Sequence, residues 1–109
     1  MSTERLPITG GALEVHRLPG GPGVPLLVLG GVETGMRQLT GTESVLDRRW
    51  RGRTGAREVV IIGRPLPDDP ADAGRIMHPR VMADAIAGVL RELGIGPVAI
   101  EAESGGGRI

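Results

Sequence analysis

Three short runs of unbroken apolar residues constrain this chain more than any other feature. They are Leu26-Leu27-Val28-Leu29, Val59-Val60-Ile61-Ile62 and Pro97-Val98-Ala99-Ile100. None alternates with polar residues as a strand with one wet face would, so each reads as a strand covered on both sides. Helical signals separate them. From Arg80 to Leu93, the residues Met82, Ile86, Val89, Leu90 and Leu93 form one continuous stripe at helical spacing. Pro79 suits the first turn of that helix, and Gly94 stands where a left-handed residue ends one. Between the first two runs, Glu43 to Trp50 reads as a short helix with Thr42 as candidate cap.

Ahead of the runs, residues 3–8 and 12–18 read as two strands joined at Thr9-Gly10-Gly11. In the second, Leu13, Val15 and Arg17 alternate with Glu14, His16 and Leu18, which suits an antiparallel pair at a sheet margin. Pro19 to Gly23 and Pro65 to Asp72 read as loops. Buried strands alternating with helices define the expected fold class as α/β. The expected architecture is a mostly parallel sheet flanked by helices, with an N-terminal antiparallel hairpin and right-handed crossovers.

The core must be aliphatic, because the 109 residues include one Trp and no Phe or Tyr. Thirteen acidic residues balance thirteen basic ones, all of them Arg, so no net field recruits nucleic acid or an anionic membrane. The absence of Cys removes disulfides, thiol nucleophiles and thiolate metal sites. No run approaches the roughly 18 apolar residues of a membrane span, and Met1 to Arg5 has no signal-like apolar stretch. The expected compartment is the cytoplasm.

The segment after the third run carries the chemistry. A Ser at a sharp turn from strand into helix projects its hydroxyl outward, and the residues two before and two after it must be small. Around Ser104 these are Ala102 and Gly106. The N–H of Gly105 would sit at a helix start, where unpaired donors favour negative charge. A hydroxyl nucleophile and an oxyanion donor are thus supplied by neighbours.

Val98 to Gly107 resembles the strand and nucleophile elbow of α/β-hydrolases, G-x-S-x-G with Ala in place of the first Gly. Met82 to Ile95 resembles the helix preceding that elbow. Leu26 to Gly31 is similar to the strand and turn that usually end in His-Gly, with Gly30 in place of the His. Ile61 to Pro65 is similar to the strand and loop that usually read Asp-Arg-Pro-Gly, with Gly63 in place of the Asp. The likeness covers nearly the whole chain in the family's own order. It implies Ser104 as nucleophile and the Gly105 N–H as one oxyanion donor. Val32 matches the second donor best, and Gly31 is one register slip away. The family's acid and His follow the Ser in chain order, and neither His16 nor His78 matches the triad position. The resemblance therefore implies that residues 1–109 are the N-terminal part of a single domain, truncated at the C-terminus.

Plainer readings stand beside this one. Ser104 could be a helix cap in a glycine-rich turn. A phosphate-binding turn is disfavoured, since the spacing fits neither the dinucleotide nor the P-loop pattern and the chain has no Lys. The arginines 48, 49, 51, 53 and 57 around Trp50 read as a solvated helix end and loop. Asp68, Asp69 and Asp72 lack the ligand order of a Ca²⁺ loop. The resemblance implies a serine hydrolase for an ester or related acyl substrate, inactive as this isolated chain. It implies no metal or organic cofactor and no nucleic-acid or membrane partner, and leaves the oligomeric state open. The alternative is a non-catalytic or binding-only protein of the same fold.

Overall fold

A computed structural model describes residues 2–29, 52, 54–102 and 109. In chain order the elements are β1 (Ser2–Ile8), β2 (Gly11–Leu29), β3 (Arg57–Pro67), a 3-10 turn (Pro70–Asp72), α1 (Ala73–Ile76), α2 (Pro79–Glu92) and β4 (Ala99–Ala102). The expected helix from Glu43 to Trp50 lies outside the described residues.

The nineteen-residue β2 runs along both sides of β3. Its first part pairs antiparallel with β3, Val15 opposite Ile62 and Leu18 opposite Val59. Its last four residues ascend in step with the same stretch of β3, Leu26 opposite Val59 and Leu29 opposite Ile62. Those four also pair in parallel with β4, from Leu26–Ala99 to Leu29–Ala102. Across the sheet the order is therefore β1, the first half of β2, β3, the second half of β2, then β4. The antiparallel hairpin and the parallel apolar strands both belong to this one sheet.

Pro19 to Gly23, expected as a loop, is the irregular middle of β2, where the register with β3 shifts repeatedly. It stays against the neighbouring backbone through Gly21 N–H to Thr54 O at 3.0 Å and Gly23 N–H to Ala56 O at 2.8 Å. Pro65 and Leu66 likewise extend β3 instead of opening the expected loop, because Leu13 and Ala12 lie opposite them. In the remaining Asp-rich stretch the Asp69 carboxylate accepts from Ala71 N–H at 3.0 Å and starts the 3-10 turn.

Alternation along the strands divides the core into two layers. On one face Leu13, Val15, Leu27, Leu29, Val60 and Ile62 pack with Met82, Ile86 and Val89 of α2. The expected stripe is thus the packed face of α2, which runs from the His78 cap to Leu93. On the other face lie Leu18, Leu26, Val28, Val59 and Ile61. The first two apolar runs are buried as expected. The third differs: Ile100 is 62% exposed, because β4 is an edge strand of the described sheet.

Leu13 is fully buried in the layer beneath α2. Leu13→Ala is expected to destabilise by about 3 kcal/mol, from lost burial plus the cavity left behind. Ile100→Ala, by contrast, should stay within roughly 0.5 kcal/mol. Urea denaturation of both variants checks the pair, and equal costs would contradict the two-layer core.

Candidate active site

Parallel register decides what emerges together at one end of the sheet. Leu29 and Ala102 are direct partners at the ends of β2 and β4, with strands about 4.8 Å apart. Leu29, two residues before Gly31, therefore stands beside Ala102, two residues before Ser104, at one end of the sheet. In open α/β sheets, ligands bind in the crevice beyond such strand ends. Ser104, Gly105, Gly31 and Val32 themselves lie outside the described residues. So do Gly30 and four of the five arginines around Trp50, Arg57 being the exception.

Both histidines have local roles. The His78 ring caps α2, its Nδ1 accepting from Arg80 N–H at 3.2 Å. His16 is fully buried, its Nε2 lying 3.1 Å from Glu14 Oε1 and its Nδ1 2.9 Å from Thr3 Oγ1. Glu14 is only 3% exposed, and Arg5 Nε lies 3.8 Å from its other carboxylate oxygen. Glu14, His16 and Leu18, which alternate with Leu13, Val15 and Arg17 in a stretch expected at a sheet margin, are all interior. β1 and β3 flank this part of β2, and the polar atoms it buries are partnered.

Glu14→Ala would leave the His16 ring N–H buried without its acceptor, and should cost about 2 kcal/mol. In Glu14→Gln the amide oxygen can still accept that bond, so most of the stability should remain. Chemical denaturation distinguishes the two; an equal loss would mean that the contact is not what matters.

A second polar contact ties β2 to β3. Arg17 Nε donates to Glu58 Oε1 at 2.6 Å, and this bond holds the guanidinium pKa above its ordinary value. Elsewhere, Asp72 pairs with Arg75 at 3.3 Å, one turn of helix away. Among the described residues no group of three or more His, Asp or Glu converges as a metal site would require. No described helix is long and apolar enough to cross a membrane.

No family profile and no curated protein matches the sequence. The fold, in contrast, matches solved structures. The N-acyl homoserine lactonase AidH, solved with N-butanoyl homoserine, superposes with a TM-score of 0.72 at 22% identity, over 99% of this chain and 38% of its own. A proline iminopeptidase-related protein from Thermus thermophilus gives 0.70 at 20% identity, over 94% and 35%. An esterase from Thermogutta terrifontis gives 0.60 at 19% identity, over 98% and 38%. The chain therefore has part of an α/β-hydrolase fold, as the sequence resemblance implied. It spans little more than a third of the length of the structures it matches.

Proposed function

We propose that this chain is the front part of an α/β-hydrolase-type serine hydrolase acting on a small-molecule ester or related acyl substrate. Ser104 is the nucleophile. The Gly105 N–H and the Val32 N–H, or that of Gly31 one position earlier, hold the oxyanion. The general base His and its orienting carboxylate lie in polypeptide beyond these 109 residues. No metal or organic cofactor takes part in this scheme.

The observation that carries this reading is the Leu29–Ala102 register. Leu29 and Ala102, the last described residues ahead of the proposed oxyanion and nucleophile segments, are neighbours at one sheet end, which supports the reading. The acyl-homoserine complex of AidH supports the substrate class, since it shows a structure of this fold holding a small acyl compound.

The test is to extend the native reading frame past codon 109, express that protein and treat it with a serine-directed fluorophosphonate. Peptide mapping should place a single phosphonyl group on Ser104. Label on Ser2 or Ser44 instead, or a longer protein that takes no label, overturns the assignment. A stop directly after codon 109 decides for the non-catalytic alternative.

A further inference from the structure

A second hydroxyl in this chain faces a base, and the proposed nucleophile has no part in it. Antiparallel register sets Thr3 of β1 directly opposite His16 of β2, and Arg5 opposite Glu14. Thr3 is exposed at the sheet edge, whereas His16 is fully buried behind it. The bonding order follows from which groups can donate. A carboxylate only accepts, so His16 Nε2 carries the proton and donates to Glu14 Oε1 at 3.1 Å. In the neutral ring Nδ1 is then the acceptor, and the Thr3 hydroxyl donates to it at 2.9 Å. Hydroxyl, imidazole and carboxylate are linked in the order that activates a weak nucleophile. The roles of the two ring nitrogens are exchanged relative to the Ser-His-Asp arrangement, and such constellations are defined by geometry and roles.

We propose that Thr3 is an acylation site, activated by His16 and Glu14, that takes acyl groups from activated esters. Thr3 Oγ1 forms a bond to the ester carbonyl carbon as the hydroxyl proton passes to His16 Nδ1. The bond between that carbon and the leaving oxygen breaks, and the leaving group departs with its electron pair. The Glu14 carboxylate stabilises the imidazolium, and the extra proton on Nδ1 passes to the departing oxyanion, which leaves as the neutral alcohol or phenol. His16 is fully buried with its Nδ1 against Thr3 Oγ1, so the ring is not placed to activate bulk water against the new ester. Acyl-Thr3 therefore accumulates to one equivalent without turnover, which separates it from the reaction proposed for Ser104.

The experiment uses the 109-residue chain carrying Ser104→Ala, so that the proposed nucleophile contributes nothing. The chain is incubated with p-nitrophenyl acetate and acetylated positions are mapped by mass spectrometry. Thr9, exposed in the β1–β2 turn, serves as the reference hydroxyl in the same molecule. Acetylation of Thr3 should run roughly 100-fold faster than that of Thr9, the scale of general-base assistance. Glu14→Gln, which keeps the ring bond without the charge, should slow Thr3 about tenfold or more, taking the low end of what a positioned base contributes. Thr3→Ser should restore rapid acylation at position 3, and Thr3→Val should abolish it. Thr3 acetylated no faster than Thr9, or at an unchanged rate in Glu14→Gln, overturns the proposal whatever Ser104 does.

Discussion

Ser104→Ala is expected to lower p-nitrophenyl acetate turnover by the extended protein about 10⁴-fold or more. The reason is chemical. The hydroxyl forms the covalent intermediate, and without it only oxyanion donors and substrate binding remain to assist attack by water. The same substitution should leave the urea midpoint nearly unchanged, since it removes a single hydroxyl oxygen and no apolar side chain. The 109-residue chain alone should show no sustained turnover, because the resemblance places the base and acid after Ser104. Steady-state rates of the extended protein with and without the substitution check this. Turnover that survives Ser104→Ala removes the residue from the mechanism.

The second large effect concerns folding. A Cβ added at Gly11 would collide with the carbonyl oxygen of Leu66, and would lie 3.0 Å from both the Leu66 carbonyl carbon and the Pro67 Cα. These are backbone atoms of the paired strand, held by the register of Gly11 with Pro67, Ala12 with Leu66 and Leu13 with Pro65. Neither strand can yield without disturbing the pairing beside it. Gly11→Ala is therefore expected to cost about 3 kcal/mol or more, and to lower Tm by roughly 12–20 °C.

The adjacent Gly10 is a useful contrast. Its φ is +84° and nothing lies within 4 Å of an added Cβ, so Gly10→Ala should cost only about 1 kcal/mol of left-handed backbone strain. Thermal melts of the two single variants make the comparison. A Gly11→Ala protein as stable as the parent would mean that β2 and β3 do not approach so closely there.

The two neighbouring glycines show how far sequence reading reaches. Gly10 is legible as a turn residue between two strand patterns, because turn chemistry is local. The need for Gly at position 11 is invisible in the sequence, because the atom that excludes a side chain belongs to Leu66, far along the chain. The same division runs through the sheet. Leu26–Leu29 and Val59–Ile62 announce strands buried on both faces, and the α2 stripe announces its own packed side, since hydrophobic periodicity records exposure residue by residue. Arg17 shows the limit. Its partner Glu58 is in another strand, and nothing near Arg17 in the sequence singles that residue out.

His16 is the hardest residue to place from sequence. Its alternation with Val15 fits a strand with one wet face, and nothing nearby tells that β3 will return to cover it. Only the flanking strands make it an interior residue, and only its pairing across from Thr3 supplies a hydroxyl for Nδ1. The motif at Ser104 lies at the other extreme. A short corner needs small residues at fixed offsets, so sequence alone carries the candidate nucleophile.

By itself, then, the amino-acid order determined the apolar strands, the amphipathic helix, the hairpin turn and the candidate Ser, all of them properties of short windows. The tertiary structure alone decided the placement of both halves of β2 around β3 and the burial of Glu14 and His16. It also set the meeting of Leu29 with Ala102 at one sheet end. Each of these depends on which distant strand becomes a neighbour, a choice made by the collective burial of two apolar layers and not by any local preference.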